Sequence, residues 1–111
     1  MKRETRFRIG TVDPFLKKLE NSFFMSIQQI SIVGTPDKLG VINGFFIALE
    51  LKVGGKVPSQ IQEFILDQIS KAGGVAFVVN PDNFQRIAIL LTSLSMGIIT
   101  PKHLSPWRDY L

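Results

Sequence analysis

The 111-residue sequence contains no cysteine. Disulfides are therefore impossible, and a thiolate metal site or a cysteine nucleophile is excluded. Histidine occurs once, as His103, and a lone imidazole in an irregular tail is not expected to be a ligand. No apolar run reaches the roughly 18 residues a membrane span needs, so no membrane partner is expected. The N-terminal MKRETRFRIG is basic and lacks the apolar run of a signal peptide. There is no glycine-rich phosphate loop of the P-loop or dinucleotide type, no internal repeat, no low-complexity run and no linker. These absences leave a soluble cytoplasmic protein with one domain over residues 1–111, and 45% hydrophobic with 20% charged residues is a globular composition.

The charge balance is +4, which permits and steers toward a polyanionic partner. Lys2, Arg3, Arg6 and Arg8 cluster in a polar, basic arm over residues 1–12. Such an arm can follow phosphates, with Lys56 and Lys71 adding contacts at either end of a helix. Phosphate contacts position a protein on nucleic acid; they do not read its sequence.

Asp13-Pro14 predicts a helix start, because Asp caps and Pro suits the first turn. Phe15, Leu16 and Leu19 supply its apolar face. A strand is expected over Phe23–Ile30. Asn43-Gly44 is a two-residue hairpin turn between strands at Leu39–Ile42 and Phe45–Lys52. The second of these is apolar on both faces in its first half, as a central strand would be. Pro58 to Ala72 carries apolar residues at helical spacing and ends at Gly73-Gly74. VAFVV, from Val75 to Val79, reads as a buried strand. Pro81-Asp82, with Asp82 as cap, opens a helix through about Leu94 whose Ile87–Leu94 run is apolar nearly all round, implying burial on two sides. Residues 96–111, with Trp107 and Tyr110, are unassigned; packing on the core or a subunit contact is expected of both rings. The expected order is α-β-β-β-α-β-α, an α/β fold with a mixed central sheet flanked by helices.

Within this frame one charged group stands out. The stretch GTPDKLGVINGFFIALELK sets Asp37, Glu50 and Lys52 at the edges of an apolar run. Strand alternation puts Glu50 and Lys52 on one face, roughly 6.5–7 Å apart. A turn at Asn43-Gly44 pairs residue 42 with 45 and 40 with 47, so residue 37 falls opposite residue 50. The hairpin thus brings two distant carboxylates together. They repel unless something intervenes. Mg²⁺ or Mn²⁺, bound by oxygen ligands, would remove that cost, and such a metal site beside a lysine is what metal-dependent phosphodiester hydrolysis needs.

Pro36-Asp37 followed by Glu50-Leu51-Lys52 resembles the PD-(D/E)XK nuclease motif. With GTPDKLG, the Asn-Gly-Phe-Phe-Ile hairpin, ALELK, the Gly-Gly-Lys loop, a glutamine-bearing helix ending in KAGG, and VAFVV, the stretch 34–79 resembles the VRR-NUC domain. That is a virus-type replication and repair nuclease related to Holliday-junction resolvases. The resemblance implies a restriction-endonuclease-like core and a Mg²⁺- or Mn²⁺-dependent DNA endonuclease. It makes Asp37, Glu50 and the Leu51 backbone carbonyl metal ligands and Lys52 catalytic. It implies a glutamine on the next helix facing the site, Gln62 or the nearby Gln60. It also implies an acidic residue near the N-terminus, for which Glu4 is the early candidate, and polar groups on the preceding strand, Gln28 or Gln29. Branched DNA (a Holliday junction or flap) is the implied substrate and a homodimer the implied assembly, with Phe23-Phe24-Met25 and the Ile87–Leu94 helix as apolar candidates for contact. The alternative is a non-catalytic DNA-binding or assembly module that retains the fold.

Overall fold

The structure, a computed structural model, describes residues 1–27 and 33–111. Helix α1 (Arg3–Phe7) continues through a π-helical turn (Arg8–Val12) into α2 (Asp13–Lys18). Then come β1 (Ser22–Ser26), β2 (Lys38–Ile42), β3 (Phe45–Leu51), α3 (Gln60–Lys71), β4 (Val75–Val79) and α4 (Phe84–Ser95), followed by 3₁₀ turns at Pro101–His103 and Trp107–Tyr110. This is an α/β domain built on one four-stranded sheet in the order β1-β2-β3-β4. The β1–β2 and β2–β3 pairs are antiparallel and the β3–β4 pair is parallel, so the sheet is mixed.

The β2–β3 hairpin turns on Asn43 and Gly44, with φ of 49° and 86°. Two successive left-handed residues match the twist of the flanking strands, and Asn-Gly adopts them at low cost. The register follows: Ile42 faces Phe45, Gly40 faces Ile47 and Lys38 faces Leu49. In β1, Phe24 lies across from Gly40. A Cβ at residue 40 would stand 2.5 Å from the Phe24 ring and 2.3 Å from the Phe23 carbonyl oxygen. Glycine is what lets that ring close over the strand.

Alternation divides the core between the two sheet faces. Ile42, Ile47, Leu49, Leu51, Val75, Phe77 and Val79 pack with Phe7, Val12 and Leu16 of the N-terminal helices and with Ile87, Leu91 and Leu94 of α4. On the other face, Ala76 and Val78 pack with Leu66 of α3 and with Trp107. All five β4 residues are buried even though β4 is an edge strand. The terminal 3₁₀ turn straddles it. The Trp107 ring sits with α3, while the Tyr110 ring meets Phe77 edge-on at 5.4 Å. Covering an edge in this way removes a surface on which another strand could pair.

Several elements depart from the sequence expectations. The first helix begins at Arg3, not Asp13, so residues 3–12 are helical rather than an irregular arm. Pro14 has no N–H to give the preceding turn, and that turn widens: the Asp13 N–H reaches the Arg8 carbonyl. A π turn absorbs the proline that would otherwise start or kink a helix. Asp13 is itself helical and caps nothing. Strand β1 ends at Ser26, and Gln28, Gln29 and Ile30 lie outside the described residues. Helix α3 starts at Gln60 with Ser59 as its cap. Asp82 is exposed and is not the cap of α4; Asn83 occupies that position. Asn83 accepts from the Asn80 N–H at 2.8 Å and donates from Nδ2 to the carbonyls of Val78 and Tyr110. A carboxylate has no donor for those two carbonyls. Finally, α4 buries Ile87, Leu91 and Leu94 but leaves Ile89 66% exposed, so one face is buried rather than two.

Candidate active site

The hairpin register continues one step past β2. Lys38 faces Leu49, so Asp37 comes opposite Glu50. The Ile27 N–H donates to the Asp37 carbonyl at 2.8 Å, which keeps residue 37 in line with the sheet. The Asp37 side chain then turns to β3, where Oδ2 accepts the Leu51 N–H at 2.8 Å. In a strand the N–H and C=O of one residue leave by the same edge. The Leu51 carbonyl is therefore also on the Asp37 side. The next N–H, of Lys52, goes the other way, to the Val79 carbonyl at 2.9 Å.

Glu50 is 3% exposed. Its Oε2 accepts from Gln62 Nε2 at 2.9 Å and pairs with Lys52 Nζ at 3.3 Å. Its Oε1 is buried with no hydrogen-bond partner among the described residues. Burial first, and then the negative charge of Asp37, push the Glu50 carboxyl up from 4.5 to about 7; Lys52 and the nearby Asp37 backbone N–H pull it the other way without prevailing. A buried carboxylate oxygen with nothing to accept is costly, and the pull of Lys52 falls on the opposite oxygen.

Asp37, Glu50, Lys52 and the Leu51 backbone are thus brought together by one hairpin, and Gln62 joins them from α3. Of the two candidate glutamines, Gln60 is exposed and Gln62 is the one that reaches Glu50. No group of three His, Cys, Asp or Glu side chains able to hold a metal ion forms among the described residues. Glu4, which is exposed, does not join Asp37 and Glu50 in such a group. The donor set is two carboxylates and a backbone carbonyl. It could hold Mg²⁺, which keeps several waters and uses one or two carboxylates.

The basic candidates Lys2, Arg3, Arg6 and Lys56 are exposed, and Arg8 is partly so. The helical N-terminus sets Arg3 against the turn that follows β3. Its Nη1 lies 2.8 Å from where a Cβ on Gly54 would be. Gly54 and Gly55 have φ of 64° and 74°, so this turn favours glycine and leaves space for the guanidinium.

Two groups were missed from the sequence. Ser59 caps α3 and shares hydrogen bonds with Gln62; its signal, Ser-x-x-Gln ahead of an apolar helix, is a capping-box pattern. Lys38, on the face opposite Glu50, is 3% exposed, donates to Ser26 Oγ at 2.6 Å and pairs with Asp13. No local pattern marks that cluster, because its members come from three elements. Comparison of the chain with protein-family models, curated proteins and solved structures gives no match.

Proposed function

We propose that this chain is a metal-dependent DNA endonuclease with a restriction-endonuclease-like PD-(D/E)XK core. The observation that carries this reading is Glu50: buried, raised to about 7, and presenting an Oε1 with no hydrogen-bond partner among the described residues, beside Asp37 and Lys52. An acid placed so unfavourably is a functional candidate. Asp37, Glu50 Oε1 and the Leu51 carbonyl would hold Mg²⁺ or Mn²⁺. When bound, that ion supplies Lewis-acid polarisation of a phosphodiester and a water of lowered pKa.

The chain's own residues do the rest. Lys52, partly exposed, orients the attacking water and balances the negative charge that develops on phosphorus. Gln62 holds Glu50 Oε2 in place. Arg3 and Lys56, at the turn two to four residues beyond Lys52, meet the flanking phosphates, and Lys2, Arg6 and Arg8 add positive charge from the N-terminal segment. Contacts of this kind make binding salt-dependent.

Branched DNA is the proposed substrate, and the proposed assembly is a homodimer. The part of the α3 side of the sheet that α3 does not cover carries Phe23, Met25 and Phe46, exposed by 65%, 57% and 47%. Exposed aromatic and methionine side chains sharing one sheet face support such a contact. Sedimentation should give twice the chain mass, and Phe23→Glu should return the monomer. A wild-type protein that stays monomeric at high concentration refutes the dimer.

The function is tested by incubating labelled four-way, flap and linear duplex DNA with Mg²⁺, Mn²⁺ or EDTA. Cutting is expected with either metal and not with EDTA, and branched DNA should be cut in preference to linear. Salt-sensitive binding without cutting on any substrate would sink the nuclease and leave the non-catalytic binding module.

A further inference from the structure

Helix α3 opens on a cap that is also part of the candidate site. Gln62 is its third residue, and both ends of the Gln62 amide are engaged. Oε1 accepts the Ser59 N–H at 2.9 Å, and Nε2 donates to Glu50 Oε2 at 2.9 Å. Ser59 Oγ in turn accepts the Gln62 N–H at 3.3 Å. Together these form a complete capping box.

The chemistry of the box dictates the direction of the amide. A backbone N–H can be accepted only by the carbonyl oxygen of the glutamine, so the NH₂ is the end left over. It points at Glu50 whatever the charge on Glu50. A free glutamine would have to give up rotamer freedom to do the same. The geometry points to Ser59 as a positioning residue: its Oγ caps the Gln62 N–H and so holds the Ser59 backbone N–H at the helix start, and that N–H fixes the rotamer and amide direction of Gln62, which occupies Glu50 Oε2 and leaves Oε1 as the open oxygen. The consequence for cation binding rests on the nuclease reading; the positioning itself does not.

The ground before this helix suits such a role. A Cβ on Gly34 would lie 3.0 Å from Ile61 Cγ1 and 3.2 Å from the Ile61 carbonyl carbon. The segment leading to Asp37 therefore rests on the first turn of α3, and the two halves of the site share one support.

The test uses ¹⁵N-labelled full-length protein in four forms: wild type, Ser59→Ala, Ser59→Thr and Gly73→Ala. The last strains the opposite end of α3, where Gly73 has φ of 98° and open space around it. Solvent exchange of the Gln62 side-chain NH₂ is one readout and Mn²⁺ affinity the other. Ser59→Ala should speed exchange about tenfold and move the Gln62 signals toward those of the exposed Gln60 and Gln68. Ser59→Thr, which keeps the cap, should restore the wild-type signals, and Gly73→Ala should leave them unmoved. Mn²⁺ affinity should fall about tenfold in Ser59→Ala, as when a partner of a metal ligand is lost. Unchanged Gln62 signals in Ser59→Ala, or an equal change in Gly73→Ala, overturn the proposal. The expected NH₂ changes in a wild type that binds no Mn²⁺ support Ser59 as a positioning residue and defeat the metal site instead.

Discussion

Glu50→Gln should abolish a pH-dependent loss of stability of roughly 3 kcal/mol that the wild-type protein suffers on going from about pH 4 to about pH 8. The folded carboxyl titrates near 7 and the free side chain near 4.5. Below the lower value both states hold the proton, and the folded protein has its full stability. Between the two values the folded state keeps a proton that the unfolded state has released, so stability falls as pH rises. Above about 7 the loss is complete, because folding then buries a charge beside Asp37. Glutamine carries no such proton, and subtracting the two urea-denaturation profiles cancels the titrating groups that do not interact with Glu50. Parallel profiles for the two proteins would refute the burial argument. Saturating Mg²⁺ at about pH 8 should return part of the stability to the wild type, about 2.7 kcal/mol at one hundred times its dissociation constant, and none to Glu50→Gln.

This cost explains the arrangement around Glu50. Two donors, Gln62 Nε2 and Lys52 Nζ, converge on one oxygen, while the other accepts no hydrogen bond among the described residues. For stability alone, spreading them over both oxygens would be better, since an unpaired buried acceptor is penalised. The asymmetry is useful only if Oε1 is kept for something else. Asp37 reinforces it: its Oδ2 is occupied by the Leu51 N–H, which fixes the carboxylate against the strand and holds its charge close to Glu50.

Much of this was legible in the sequence because a two-residue Asn-Gly turn leaves no freedom of register. Once residue 42 faces 45, residue 37 must face 50, and period-two alternation decides which side chains share a face. The choice between Gln60 and Gln62 was also readable, through Ser59 and the capping box, but only by treating the cap as a constraint on the glutamine. The N-terminal helix was not readable. Its buried residues Phe7 and Val12 are five apart, a spacing that matches no α-helical face until a π turn is inserted. The ion pair of Lys38 and Asp13 depends on how α2 lies across the sheet, which no local pattern encodes. Trp107 and Tyr110 are three apart yet enter different faces of the core, because the turn between them wraps the edge of β4.

The charge of Asp37 can be separated from its hydrogen bond. Asp37→Asn keeps an amide oxygen to accept the Leu51 N–H, so the hairpin should hold and the melting temperature should not fall. It removes a negative charge, so the Glu50 carboxyl should titrate below its wild-type value of about 7, as read from its ¹³C signal. Lys52→Met keeps the apolar stem and removes a positive charge, so the same carboxyl should titrate higher. The two substitutions therefore push Glu50 in opposite directions. Both should nevertheless cut Mg²⁺-dependent DNA cleavage on the order of a hundred- to a thousandfold, the scale for losing one preorganised charge or donor at a reacting centre. Two opposite shifts with one outcome would mean that cleavage needs each group in its own right, not merely a particular protonation state of Glu50. If Asp37→Asn folds, shows the lowered Glu50 titration and still cuts DNA at the wild-type rate, Asp37 is no ligand and the nuclease reading loses its metal site.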